Sequence, residues 1–168
     1  MTISMYQASV PVFQKSLTAL KGVLAKAAAH AAEKKIDESV FMASRLYPDM
    51  LAFSRQVQIA ADFGKGSVAR LAGVELPKYE DNETTFAELS ARIDKTLAFI
   101  ATFTPTQIDG QEDREITLPI GGTPTTFKGQ AYLLHFALPN FYFHMAMAYA
   151  ILRHNGVVIG KRDFIGGA

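Results

Sequence analysis

The sequence predicts an all-α protein: one four-helix bundle with a small β-hairpin before the last helix. Apolar residues recur at helical spacing in four segments. Two short β-prone runs flank Gly121-Gly122, a dipeptide typical of a hairpin turn. The length of 168 residues suits a single domain, 1–168, and no internal repeat divides it.

The first helix is predicted from about Ala8 to Lys35. Ser9 can cap it, and Pro11 suits the first turn, where its missing N–H has no partner to lose. The linker that follows, 36–46, has room for one or two helical turns. The apolar stripe of this helix repeats at steps of three and four: Val10, Phe13, Leu17, Leu20 and Leu24.

The second helix is predicted to begin at Pro48 and to stop at Gly73. Asp49 would lie at its positive end, where a carboxylate is favourable. Gly64 and Gly66 weaken its middle, and we expect them to permit a bend. Its broad apolar face contains Met50, Phe53, Val57, Ala60, Phe63, Val68 and Leu71.

A polar connection of about ten residues, 75–84, precedes the third helix and is long for a tight antiparallel turn. Thr85 and Glu88 form a capping-box pattern that predicts the start of this helix, whose apolar stripe runs to Ile100. The strands of the hairpin are predicted at Glu115–Pro119 and Thr125–Lys128.

The fourth helical region is predicted from near Gln130 to Asn155-Gly156, with an interruption or change of direction at Pro139. The tail, 157–168, is expected to be extended and to pack on the bundle. Its apolar contacts would come from Val158, Ile159 and Phe164.

Composition excludes several classes of function. The formal net charge is +1 with no basic run, so a nucleic acid partner is not expected. The absence of cysteine removes disulfides, thiolate nucleophiles and Cys-based zinc sites. The first residues lack the features of a signal peptide, and no apolar run reaches the roughly 20 residues of a membrane span. We therefore expect a cytoplasmic protein without a membrane partner.

The candidate site lies on the second and last helices. Asn140 and His144 are one helical turn apart in a nearly all-apolar helix, and Gln56 interrupts the apolar stripe of the second helix. Together these three groups are predicted to meet inside the bundle. Tyr149 could add its hydroxyl, and Asp49 shares the face of Gln56, although a charge at a helix start is the simpler interpretation.

Three interpretations of this cluster stay open. Buried amide and imidazole groups can simply satisfy one another's hydrogen bonds and set the helix register. They can also line a small-molecule pocket. The third interpretation is a divalent metal held by His144 with Asn140 and Gln56, although amides are weak ligands. Of the remaining histidines, His30 is interpreted as a structural or surface residue and His154 as a helix cap. His135 lies nine residues before His144, so the two cannot share an ion unless Pro139 reorients the chain.

Several segments resemble a family of uncharacterised bacterial proteins, DUF1993, over nearly the whole chain. They are 47–50 (YPDM), 56–60 (QVQIA), 138–144 (LPNFYFH), 148–157 (AYAILRHNGV) and 160–164 (GKRDF). That family is similar to the DinB/YfiT-like clan of four-helix bundles, which implies up-down-down-up topology. Many clan members hold a metal with three histidines. By comparison, His144 stands at one of these positions, and Asn140 and Gln56 stand at the other two.

We therefore expect a DinB-like module with a degenerate metal site that binds a small molecule or a partner. A homodimer is expected through apolar helix faces or the hairpin. The alternative is a metal- or histidine-dependent transferase or hydrolase that uses His144 as base or ligand, because some clan members are thiol-dependent transferases. The Arg-Gly-Gln sequence that follows the histidine pair in the clan is replaced here by Met145-Ala146-Met147.

Overall fold

The computed structural model describes residues 3–167 as a helical bundle with a two-stranded hairpin. The four long helices are α1 (Val10–Lys34), α3 (Phe53–Ala72), α4 (Phe86–Ile100) and α7 (Leu138–His154). The shorter elements are α2 (Glu38–Ala43), α5 (Pro105–Ile108), β1 (Glu115–Ile120), β2 (Thr123–Lys128), α6 (Gly129–Ala131), a π-helical turn (Tyr132–Ala137) and α8 (Lys161–Ile165). The four predicted helices and the hairpin are all confirmed.

The second and third long helices, α3 and α4, run parallel. The rings of Phe53 and Phe86 lie 5.8 Å apart near the two helix starts. Further along both helices, Asp62 Oδ1 lies 2.8 Å from a guanidinium nitrogen of Arg92. Since both sequence positions increase together, the two helices point the same way.

The other pairings complete the topology. Lys21 pairs with Asp94 at 2.6 Å, whereas the earlier Leu17 on α1 lies beside the later Ile100 on α4, so these helices are antiparallel. The ring of Phe13 on α1 lies 4.9 Å from that of Phe141, near the start of α7. At the other end of α1, His30 lies beside Gly156, two residues after the end of α7. The order is therefore up-down-down-up, as the resemblance implies.

Because α3 and α4 are parallel, the chain between them must run back from the end of α3 to the start of α4. A 20-residue α3 is about 30 Å long, and the connection must travel back along most of that length. The stretch 73–85, which we call the crossover connection, can do so when extended at roughly 3.3 Å per residue. The long polar connection in the sequence thus reflects the direction of α4.

The start of the second long helix was predicted wrongly. The helix begins at Phe53 rather than at Pro48, and Ala52 precedes it with extended backbone angles. The N–H of Phe53 donates to the carbonyl of Ser44 at 2.9 Å, and the Phe53 side chain is fully buried. These tertiary contacts delay the helix, so Asp49 lies in an exposed loop and not on the face of Gln56.

Gly64 serves packing rather than the expected bend. A Cβ atom at this position would lie 3.0 Å from Leu17 Cδ1 and 3.5 Å from Ile100 Cδ1. Both of these side chains are fully buried. The missing side chain therefore lets α1, α3 and α4 approach closely, and α3 continues as one helix through the glycine.

The chain reaches α7 through the hairpin and the π-helical turn. Gly121 and Gly122 both have positive φ angles, which a two-residue hairpin of this kind requires. The π-helical turn ends just before Pro139, which lies in the first turn of α7. Because proline has no N–H to give the preceding turn, a wider turn is a physically reasonable solution there. This agrees with the predicted interruption at Pro139.

The tail is only partly as predicted. It forms the short helix α8 instead of an extended segment, and Val158 is 83% exposed. Ile159 is buried, however, and the ring of Phe164 lies 5.7 Å from that of Tyr149. Ala168, at the end of the predicted tail, lies outside the described residues.

Candidate functional site

Helices α3 and α7 bring Gln56 and His144 into direct contact. The Nδ1 atom of His144 lies 2.8 Å from Oε1 of Gln56. Gln56 is only 1% exposed, and its Nε2 donates to the carbonyl of Leu51 at 3.1 Å. Gln56 therefore joins the loop before α3 to the imidazole on α7. We call this contact the His144–Gln56 pair.

The direction of these hydrogen bonds determines which imidazole nitrogen is protonated. Because the Gln56 amide nitrogen faces a carbonyl, the amide oxygen must face the imidazole. That oxygen can only accept, so Nδ1 of His144 must be the donor. In the neutral ring, Nε2 is then the unprotonated nitrogen and keeps a lone pair for another group.

Two aromatic rings flank this imidazole. The ring of Phe63 stacks on it with centroids 6.0 Å apart and an interplanar angle of 19°. The ring of Phe143 meets it edge-on at 5.2 Å. Burial lowers the pKa of His144 below its usual value, and the nearby positive charge of Arg55 lowers it further. His144 is therefore neutral at neutral pH, with its acceptor nitrogen available.

Asn140 does not join the His144–Gln56 pair. It lies one turn before His144 as predicted, but its Nδ2 donates at 2.7 Å to the carbonyl of Phe136 in the π-helical turn. A side chain on a helix readily bonds back to a carbonyl four residues earlier. Of the three polar groups predicted to meet, only His144 and Gln56 are hydrogen-bonded to each other. The Asn140 amide lies nearby but bonds to its own chain segment.

The two other candidate residues lie elsewhere. Asp49 is exposed in the loop before α3, for the reason given above. Tyr149 follows His144 by five residues, which places it on a different side of α7. Its ring packs against Phe164 of α8.

The donor set does not fit the metal centre that the clan implies. Within residues 3–167, no group of three His, Cys, Asp or Glu side chains could hold a metal ion. Gln56 uses its oxygen on His144 and its nitrogen on Leu51, and the Asn140 nitrogen bonds to Phe136. His144 Nε2 is a single good ligand among these groups, and one imidazole with occupied amides is a poor site for a divalent ion.

Sequence reasoning missed a cluster of charged residues beside this site, in which two buried cations meet partly exposed carboxylates. Arg92 is 4% exposed, and its guanidinium contacts Asp62, Asp81 and Glu83 at 2.8 to 2.9 Å. Lys65, also 4% exposed, lies 3.0 Å from Asp62. The contacts of Arg92 and Lys65 hold the crossover connection against α3 and α4.

Two sequence signals could have revealed this cluster. Polar residues recur at steps of three and four on α3, at Arg55, Gln58, Asp62 and Lys65. The connection that follows contains an acidic run, 80–83. A polar stripe on a helix that is otherwise buried needs polar partners, and the acidic run is the nearest source of them.

These features define a class of protein: a DinB-like four-helix bundle with a polar contact between its second and last long helices. A crystal structure of a DinB family member protein from Shewanella denitrificans matches the fold with a TM-score of 0.90 and 40% sequence identity, covering 97% of this chain and 92% of that chain. The model of the family described as domain of unknown function DUF1993 matches residues 5–165, so the chain belongs to that family.

No curated protein matches the chain. Among residues 3–167, no helix has both the length and the apolar character needed to cross a bilayer.

Proposed function

We propose that this protein binds a small molecule between α3 and α7, with Nε2 of His144 accepting a hydrogen bond from the ligand. The observation that supports this proposal is the fixed orientation of the imidazole. The contact with Gln56 uses the proton of Nδ1 and leaves the opposite nitrogen as an acceptor. A hydroxyl, amide or ammonium group is the matching donor.

The surroundings of the imidazole suit a ligand that is partly apolar. Phe63 stacks on one side, and the Phe143 side chain is 51% exposed. Aromatic faces beside a single polar acceptor are typical of small-molecule sites. We infer a degenerate metal site, because the resemblance places Gln56 and Asn140 where clan members carry histidine ligands.

A second candidate function is supported by the lowered pKa of His144. An unprotonated imidazole with a free Nε2 can act as a general base in a transferase or hydrolase. In that function His144 would take a proton from a hydroxyl or a water molecule. Gln56 would be a positioning residue, because it holds the ring through Nδ1.

The tautomer can be tested by NMR of protein labelled with ¹⁵N in its histidines. At neutral pH we expect His144 to show a protonated Nδ1 and an unprotonated Nε2. Gln56→Met should remove this preference, because methionine keeps the approximate shape but offers no comparable acceptor. His135→Ala, which removes an exposed histidine, should leave the His144 signals unchanged. A wild-type His144 with its proton on Nε2 would contradict the proposal.

Ligand binding can be tested by thermal unfolding in a panel of small alcohols, amines and amides. We expect at least one compound to stabilise the wild type and His135→Ala while leaving His144→Ala unaffected. If His144→Ala is merely less stable and every compound acts equally on all three proteins, His144 has a structural role and the binding proposal is wrong.

A further inference from the structure

A cavity of about 310 Å³ lies between α3, the crossover connection and the hairpin. Its apolar lining includes Phe63, Leu76, Leu118 and Phe136. This volume is at the lower end of the range for small-molecule pockets. The ring of Phe63 borders both this cavity and the imidazole of His144. Arg70 also lines this cavity, which we call the Arg70 cavity.

Most charged groups around the cavity already have partners. Asp62 Oδ1 contacts both Lys65 and Arg92, and the Lys65 ammonium also donates to the carbonyl of Pro77 at 2.9 Å. The connected cluster contains three carboxylates and three cations, so its charges balance. Its members are Asp62, Asp81 and Glu83 with Arg55, Lys65 and Arg92.

Arg70 is the exception. None of the ion pairs formed within residues 3–167 includes it. Its Nη1 donates to the neutral hydroxyl of Tyr132 at 3.2 Å, and this phenol is fully buried. The partly buried guanidinium of Arg70 thus has no carboxylate partner in the described part of the chain, and apolar side chains form much of its surroundings. Such a charge is costly to desolvate unless an anion comes to it.

The backbone of α3 makes room for this guanidinium. A Cβ atom at Gly66 would lie 2.5 Å from Arg70 Nη1, closer than real contacts allow. The guanidinium occupies the space that a side chain at position 66 would take. Tyr132 and Phe136, four residues apart in the π-helical turn, then border the same region. Gly66, Arg70 and the π-helical turn together position one cation that has no ion pair within residues 3–167.

We propose that the Arg70 cavity binds a small organic monocarboxylate with an apolar body. The carboxylate pairs with the Arg70 guanidinium, whose planar set of N–H donors matches two carboxylate oxygens. The body packs on Phe63, Leu118 and Phe136. A single surplus cation suits one negative charge better than the higher charge of phosphate. This site does not depend on the proposed role of His144.

The test titrates the full-length protein with phenylacetate, with its neutral analogue phenylacetamide, and with inorganic phosphate, followed by NMR and calorimetry. We expect phenylacetate to bind at least about tenfold more tightly than phenylacetamide, and phosphate to bind more weakly. Arg70→Gln should weaken phenylacetate binding by about tenfold to a hundredfold. Arg153→Gln, at an exposed arginine on α7, should have no effect.

A second variant keeps the test decisive if Arg70→Gln fails to fold. Leu118→Glu introduces a carboxylate on the partly exposed hairpin wall of the cavity and should abolish phenylacetate binding. Equal affinity for phenylacetate and phenylacetamide would overturn the proposal. So would phosphate binding as tightly as phenylacetate, undiminished binding by Arg70→Gln or Leu118→Glu, or no binding of phenylacetate to the wild type.

Discussion

The buried guanidinium of Arg92 gives the sharpest prediction about stability. Arg92→Met keeps the aliphatic part of the side chain and removes every polar contact of the guanidinium. These contacts are ion pairs with Asp62, Asp81 and Glu83 and a 2.9 Å hydrogen bond to the carbonyl of Glu80. We expect the variant to unfold more easily and the crossover connection to detach from α4.

The size of the stability loss depends on how well water can replace the guanidinium at each carboxylate partner. The Glu83 side chain is only 11% exposed, so its lost charged hydrogen bond costs about 1.5–3 kcal/mol. The Asp62 and Asp81 side chains are 40% and 38% exposed, so each lost pair costs at most about 1 kcal/mol. Removing Arg92 also relieves its Nε, which has no hydrogen-bond partner within residues 3–167. The expected net loss is about 2–4 kcal/mol.

Urea unfolding at neutral and acidic pH measures this loss. The pKa of Asp81 is lowered: burial alone would raise it, but the hydrogen bond and charge of Arg55 and the charge of Arg92 outweigh that effect. A lowered folded pKa gives stability that is complete above the unfolded value of about 3.9 and is lost as the pH falls below it. The difference between wild type and variant should therefore shrink in acid.

Arg153→Met, which removes an exposed arginine on α7, is the control and should change the free energy of unfolding by less than about 0.5 kcal/mol. A loss below about 1 kcal/mol for Arg92→Met, or a difference from wild type that does not shrink in acid, would refute the reasoning.

Two further predictions concern packing and pH. Gly64→Leu should lower the free energy of unfolding by about 1–3 kcal/mol, because Leu17 and Ile100 already fill the space beside this position; urea unfolding measures it, and an unchanged midpoint would show that the three helices can separate at little cost. The pKa of His144 is lowered in the folded protein, so the unfolded chain binds this proton more readily. The contribution of His144 to stability is therefore complete above about pH 6.5 and is lost as the pH falls below that value. His144→Gln should flatten the dependence of stability on pH in that window, and an unchanged slope would assign the effect to another group.

Some elements were predictable because their determinants are close in sequence. Thr85 and Glu88 form the capping box that the pattern indicated, with the Glu88 N–H donating to the Thr85 hydroxyl at 3.2 Å. Gly121 and Gly122 form the hairpin turn because glycine tolerates their positive φ angles. In each case, groups within a few residues of each other determine the local backbone.

Other features depend on partners that are distant in sequence. Phe53 is held by Ser44 and Phe86, so α3 starts later than a helix-favouring proline suggests. The side chain of Asn140 could have reached Gln56 or its own helix, and the nearby carbonyl of Phe136 determines the outcome. The amino-acid pattern correctly predicted that Gln56 and His144 meet between two helices, but it could not place Asn140, Asp49 or Tyr149.

Helical periodicity, caps and turn glycines are short-range properties, so the order of residues was enough to establish four helices, a hairpin and a polar pair on buried faces. Three other features depend on groups brought together across the bundle. They are the protonated nitrogen of His144, the close contacts at Gly64 and Gly66, and the charge of Arg70 that has no ion pair among the described residues. Those outcomes result from competition among several nearby partners, and that competition exists only after the helices have packed.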